Sequence, residues 1–277
     1  MRNLFLVSLF FIFSCKKESH QASFLSIQNF SFENIEGYEN ESTNITDAWV
    51  TVNGNFIGAF ETPSDIPILD LEEKDNIVRI SPGIKENGIS GSRMIYPFYN
   101  SYEFISKTTN PEENQVINPV TSYKEAEFKF LTQGEFELGN MFQETENSDT
   151  IPFTQSTEVF LGEKSCAICV DETNNSFQII TIDNFSFNGL PEYVFLEMNF
   201  KTSVNFKIGI VKNGNLQDKT EHMKIYRSDD WKKIYINLSQ LIIPNIPNST
   251  FQIYMESDMT ENNSGGCVYL DNIKVVF

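Results

Sequence analysis

Apolar residues in this chain recur at alternate positions, in short runs that stop at clusters of Gly, Asn, Asp and Pro. Helical spacing is nearly absent. A period of two places one side of a strand in a core and the other in water, and the breaker clusters mark turns. A chain patterned this way has few options beyond packed antiparallel sheets. In the first half the runs are Ser23–Phe32, Ala48–Val52, Asn55–Phe60 and Asn76–Ile80. In the second they are Glu127–Leu131, Cys166–Val170, Phe177–Ile182, Val194–Lys201, Phe206–Val211, Lys232–Leu238, Phe251–Glu256 and Val268–Phe277. With 277 residues the chain has room for one large or two modest domains. The polar stretch KTTNPEENQVINPV reads as a linker, with two prolines and few apolar residues. The expected organisation is all-β: a small β-sandwich over 23–106, a linker over 107–123, and a larger β-sandwich over 124–277.

Composition narrows function. The formal net charge is −18. Neither a phosphate backbone nor an anionic headgroup layer attracts such a surface, which argues against nucleic acid as a partner. Only His20 and His222 are present, and catalytic or metal clusters lean on histidine. His222 lies in the polar stretch KTEHMKIYRSDDW, read as a loop or edge strand with a solvated histidine; a lone catalytic base is the alternative. No Gly-x-Ser-x-Gly elbow and no phosphate-binding glycine loop is visible, so a non-catalytic protein is expected. A hydrolase with paired carboxylates is the remote alternative, and nothing marks a particular pair.

The N-terminus carries an address. Met1-Arg2-Asn3 is basic, and Leu4–Phe13 is apolar apart from Ser8. A stretch of that length is too short to cross a bilayer as a helix and fits the core of a signal peptide. It ends in Ile12-Phe13-Ser14-Cys15, which resembles the lipobox of bacterial lipoproteins. The resemblance implies a signal over 1–14, acylation of Cys15 through its sulfur and amino group, and a polar tether over 15–22. Several acyl chains give an anchor that one cannot. An ordinary secretory signal with a coincidental cysteine is the alternative. Lys16 is not the aspartate associated with inner-membrane retention, so the outer membrane, on either side, is the expected location.

Two further resemblances concern the body. VTVNGNFIGAFETPSDIPIL resembles the PEGA-type surface module, with Asn53-Gly54 supplying a tight turn between two strands. SPGIKENGISGSRMIYPFY reads as a structured loop leading to an aromatic strand. GEFELGN, DDWKKIYINLS and GGCVYLDNIKVVF resemble the opening, middle and closing strands of carbohydrate-binding jelly-roll modules, over 124–277. As a whole the chain resembles outer-membrane lipoproteins of Bacteroidetes-type bacteria. The implied partners are the membrane, through the anchor, and either a glycan or another envelope protein.

Three sets of residues could carry chemistry. Strand parity puts Tyr193, Glu197 and Asn199 on the face opposite the aliphatic one, with Trp231, Lys233 and Tyr235 on a second strand and Tyr254 on a third. If the three strands are neighbours, tyrosine rings could stack on sugars while polar groups take hydroxyls. If the first domain covers this face, it is an interface instead and favours an assembly role. Jelly-roll resemblance also implies a structural calcium held by Glu137 (or Glu135) and Asp271, through hard oxygen ligands; a solvated acidic rim is the alternative. Among the body cysteines, Cys166 and Cys169 point to opposite faces of a regular strand, so at most one meets Cys267. First and last jelly-roll strands often lie side by side, which makes Cys169–Cys267 the candidate bridge in an oxidising compartment. Buried free thiols are the alternative.

Overall fold

The computed structural model describes residues 23–34, 42–68, 75–106, 114–124, 126–262 and 264–277. The signal, Cys15 and the tether lie outside these residues. Among the described residues ten strands precede residue 124: β1 Ser23–Ile27, β2 Ser31–Glu33, β3 Asp47–Val52, β4 Asn55–Glu61, β5 Ser64–Ile68, β6 Asn76–Lys85, β7 Arg93–Ile95, β8 Tyr102–Ser106, β9 Asn114–Ile117 and β10 Val120–Ser122. Eleven follow: β11 Phe128–Lys129, β12 Phe142–Glu144, β13 Phe153–Gln155, β14 Ser165–Val170, β15 Ser176–Thr181, β16 Phe195–Thr202, β17 Phe206–Lys212, β18 Asn215–Ile225, β19 Ser228–Asn237, β20 Phe251–Asp258 and β21 Gly266–Val276. The protein is an all-β sandwich fold, as the alternating pattern requires.

In the first unit, β5-β1-β9 forms one sheet and β4-β3-β6-β7 another, with β8 also on β6. Leu25, Ile27, Val50, Ile66, Val78 and Ile80 fill the space between them. The β3–β4 hairpin turns at Asn53 and Gly54, both with positive φ (50° and 81°), the conformation that Asn-Gly adopts at low cost. The run Ser23–Phe32 is broken into β1 and β2.

The linker expectation is corrected. Residues 114–117 pair in parallel with β1, and 120–122 pair in parallel with β2. They belong to the first unit, which therefore runs to about 123. Asn and Pro drew attention in this stretch, but Val116, Ile117, Val120 and Thr121 are β-branched. Ile117 is buried in the core. Residues 107–113 lie outside the described set.

The second unit is two antiparallel sheets face to face. One runs β13-β14-β21-β16-β19, with β11 on β21; the other runs β12-β15-β20-β17-β18. Leu196, Met198, Phe200, Ile234 and Ile236 from the first sheet meet Phe206, Ile208, Phe251, Ile253 and Met255 from the second. The inward parity read from the sequence holds on β16, β19 and β20. The stretch around His222, read as a loop or edge strand, is the long edge strand β18.

Cys169 and Cys267 sit directly opposite each other on β14 and β21 and are joined by a disulfide. Cys166 faces the core and is free. The bridge closes a loop of 98 residues, for which chain entropy gives about 4 to 5 kcal/mol. Reduction, or Cys169→Ser with Cys267→Ser, is expected to lower stability by that order in chemical denaturation. An unchanged midpoint under reductant would contradict the bridge.

Candidate functional site

The tyrosine face exists, but the first unit covers most of it. Tyr235 is 1% exposed, and Glu197 and Asn199 are fully buried. Ile84, Tyr96 and Tyr99 from the first unit pack against Phe195 and Tyr235, with Tyr193, Phe98 and Tyr123 at the margin. Ring centroids of Tyr96 lie 4.8 Å from Tyr235 and 5.2 Å from Phe195. The Tyr235 hydroxyl accepts a bond from the Asn44 backbone N–H (2.9 Å) and lies 3.1 Å from the Tyr99 hydroxyl. Ser42 donates to the Asn199 side-chain oxygen at 2.6 Å. The expected sugar platform is thus corrected to an interface between the two units.

Local sequence explains how the first unit reaches that face. The hairpin after β6 turns at Asn87-Gly88, again both with positive φ. Asn87 donates its N–H to the Tyr235 carbonyl at 2.8 Å, and its side-chain oxygen accepts from the Asn237 N–H at 2.8 Å. A Cβ on Gly88 would come within 3.1 Å of Ile234. Asn237 also donates to Glu86 at 2.7 Å. The stretch read as an aromatic strand is short at β7, and Tyr96, Phe98 and Tyr99 follow it as the docking surface.

At the centre is a buried charge. The Glu197 carboxylate pairs with the Lys233 ammonium at 2.7 Å. It also accepts hydrogen bonds from the hydroxyls of Tyr96 (2.6 Å) and Tyr123 (2.8 Å). Burial acts to raise its pKa; Lys233, Lys274 and these bonds outweigh burial and hold it below the usual carboxylate range. Lys274, 1% exposed, sits over the Tyr123 ring at 5.2 Å from its centroid. A carboxylate this deep is tolerable only because both its oxygens are occupied.

Tyr254 and Trp231 lie elsewhere. β20 belongs to the other sheet, so Tyr254 is not a neighbour of Tyr193 or Tyr235. Strand parity gives a side chain's face and not its sheet. Tyr254 is 1% exposed among Ile180, Val211 and Leu216, and its ring occupies the space over Gly209. Next to it, Gln178 donates to Glu256 at 2.9 Å, and Lys219 pairs with Glu256 at 2.5 Å. Asn147, Gln178, Lys207, Glu256 and Asp258 line a polar cleft of about 250 Å³ on this outward face. Trp231 is half-buried against Phe160, with ring centroids 5.8 Å apart.

Glu137 and Asp271 do converge, on the loop 160–164. Asp271 accepts from the N–H groups of Phe160 and Leu161 (3.1 and 3.2 Å), and Glu137 from those of Glu163 and Lys164 (2.7 and 3.0 Å). Both carboxylates are turned to amide donors, where calcium would need carbonyl oxygens from the loop. Among the described residues no group of three or more His, Cys, Asp or Glu side chains gathers as a metal site. Glu135 lies in a short 3-10 turn. Burial pushes Asp271 up to about 7, against the lowering effect of its hydrogen bonds.

His222 is corrected from a solvated position: it is half-buried, its Nε2 meets no partner among the described residues, and burial lowers its pKa. Burial raises the pKa of the Cys166 thiol, with Asp271 adding to the effect. Sequence reasoning missed Tyr96, Tyr99, Tyr123 and Lys274 as partners of the tyrosine face. The signal for the first two was the aromatic cluster YPFY in a stretch otherwise rich in Gly and Asn.

No family model and no curated protein matches this chain. Solved structures to which it is similar include a family 61 carbohydrate-binding module in complex with β-1,4-galactotriose. That pair has 14% identity and a TM-score of 0.35, covering 53% of this chain and 96% of the other. A family 29 carbohydrate-binding module gives 14% identity and a TM-score of 0.36, over 55% and 92%. A family 11 module of a cellulosomal cellulase from Clostridium thermocellum gives 13% and 0.36, over 55% and 95%. A likeness at this level assigns neither a ligand nor a site to this chain.

Two outcomes test the geometry. Glu197→Gln is expected to cost about 3 to 5 kcal/mol in denaturation, because it breaks the buried ion pair with Lys233. Adding Lys233→Met should recover part of the loss; a single-mutant cost under about 1 kcal/mol would place the pair in solvent. Asp271 has a raised folded pKa, so its contribution is full below the unfolded value of 3.8 and is lost as pH rises through about 7. Wild-type stability relative to Asp271→Asn should therefore fall across that window. Bound calcium would keep the carboxylate ionised and remove the slope, so the same titration with calcium and with chelator tests the metal.

Proposed function

We propose that this chain is a lipid-anchored, non-catalytic protein of the outer membrane that binds a glycan or surface polymer through its second unit. The observation that carries this reading is the division between the two outer faces of the larger sandwich. One face is closed by the first unit, whose Ile84, Tyr96 and Tyr99 pack on Phe195 and Tyr235. The other face keeps Gln178, Glu256, Lys207 and Asn147 around an open cleft, an array of donors and acceptors suited to sugar hydroxyls. The Cys169–Cys267 bridge suits an oxidising compartment outside the cytoplasm, in keeping with acylation at Cys15 and a polar tether that stands the body off the membrane. Burial of the tyrosine face favours a second reading, in which the fused body docks on another envelope protein.

The test uses the mature chain against a neutral polysaccharide panel. Saturable binding weakened about tenfold by Glu256→Gln, the order of one charged hydrogen bond, with Gln178→Ala acting the same way, supports the glycan reading. A folded protein that binds nothing on the panel, yet crosslinks to one envelope protein in situ, moves the assignment to assembly. Cys15→Ala is expected to abolish membrane partitioning on fractionation; unchanged partitioning would remove the anchor.

A further inference from the structure

A second cleft lies where the two units meet, and its charge runs against the rest of the molecule. It measures about 420 Å³, within the size range of small-molecule sites. The turn at 85–90 forms one wall, and the connection between β18 and β19 forms the other. Lys85, Lys224, Arg227, Lys232 and Lys233 line it, and no Asp or Glu does. The whole chain has 20 Lys and Arg against 38 Asp and Glu. A quarter of its cations therefore face one opening.

Two of the five are already matched: Lys233 by Glu197 at 2.7 Å and Lys224 by Glu261 at 2.7 Å. Lys85, Arg227 and Lys232 make no ion pair with any described residue. Their charges line the opening; Glu61 acts on Lys85 through space, and no carboxylate lines the cleft itself. Focused positive potential in a cleft with low-dielectric walls attracts a counter-charge, and here Phe200, Met223 and Ile234 supply such walls. Tyr226, 70% exposed, stands among the lining residues with a free ring face. Asn87 and Ser90 add hydrogen-bonding groups.

We infer that this junction cleft is a binding site for a single anionic sugar unit, a uronate or a sulfated or phosphorylated residue. The cations take the charged group, Tyr226 stacks on the ring, and Asn87 and Ser90 meet hydroxyls. The surrounding net charge of −18 repels an extended polyanion, so the cleft selects an isolated or terminal charge over a nucleic acid. The site is separate from the Gln178–Glu256 face, and it exists only because the first unit is docked.

The experiment is a titration of the mature chain, by calorimetry and amide-resolved NMR, with glucuronate, glucose 6-sulfate, glucose 6-phosphate and glucose. At least one anionic sugar should bind, with shifts centred on 85–90 and 224–234, and glucose should not. Arg227→Glu and Lys232→Glu, both at exposed positions, should each weaken binding about tenfold or more, the order of one charge-assisted bond. Lys232→Arg should retain it, and raised salt should weaken it. Equal binding of glucose, anion binding indifferent to both reversals, or no binding of any anionic sugar would each overturn the inference. None of these outcomes bears on neutral polysaccharide binding at the other face, which is read separately with Glu256→Gln.

Discussion

The structure depends on one buried carboxylate. Glu197 sits in the middle of a strand, on the outward face of a sheet, where an isolated sandwich would leave it in water. Docking of the first unit removes that water and replaces it with Lys233, Tyr96 and Tyr123, with Lys274 close by. A desolvated charge with incomplete partners would cost several kcal/mol. The first unit must therefore present its tyrosines in register or not dock at all. The Asn87-Gly88 turn on β19, the Asn44 contact to Tyr235 and the Ser42 contact to Asn199 follow from that register. The basic cleft is a by-product of the same geometry, because one wall comes from each unit.

What could be read from the sequence was local. Alternation gave the main strands of both units and the inward faces of β16, β19 and β20, and Asn53-Gly54 gave its hairpin, because these depend on residues a few positions apart. The opposed faces of Cys166 and Cys169 were readable for the same reason. Sheet membership was not, and so Tyr254 was grouped with Tyr235 although β20 and β19 lie in different layers. The stretch 114–122 was read as a linker because its Pro and Asn outweighed its β-branched residues, and only pairing with β1 and β2 settles it. Lys233 was placed on the tyrosine face by parity, and Lys274 carried no reading. Their burial comes from a surface more than a hundred residues away in sequence, which no local pattern encodes. Glu137 and Asp271 were paired by resemblance, and they do meet at one loop, though through amide donors.

Functionally, the molecule separates three surfaces by physical character. The tyrosine face is consumed in holding the two units together. The outward face of the second sheet keeps neutral and charged hydrogen-bonding groups of both signs around Gln178 and Glu256. The junction cleft gathers five cations, three of them in no ion pair with a described residue, on a protein that is otherwise strongly acidic. On the proposed reading, a body with two chemically distinct openings can hold a mixed polymer by a neutral segment and a charged unit at once. Each contact can be weak, since the second then acts at high effective concentration.

Tyrosine accessibility in the intact protein tests the docked arrangement most directly. Tyr226 is 70% exposed and Tyr235 is 1% exposed. Hydroxyl-radical footprinting should label Tyr226 freely and leave Tyr235, Tyr96 and Tyr99 protected until the protein unfolds. Labelling of Tyr235 at a rate comparable to Tyr226 in the folded chain would contradict the closed face, and with it the junction on which both the buried Glu197 and the cationic cleft rest.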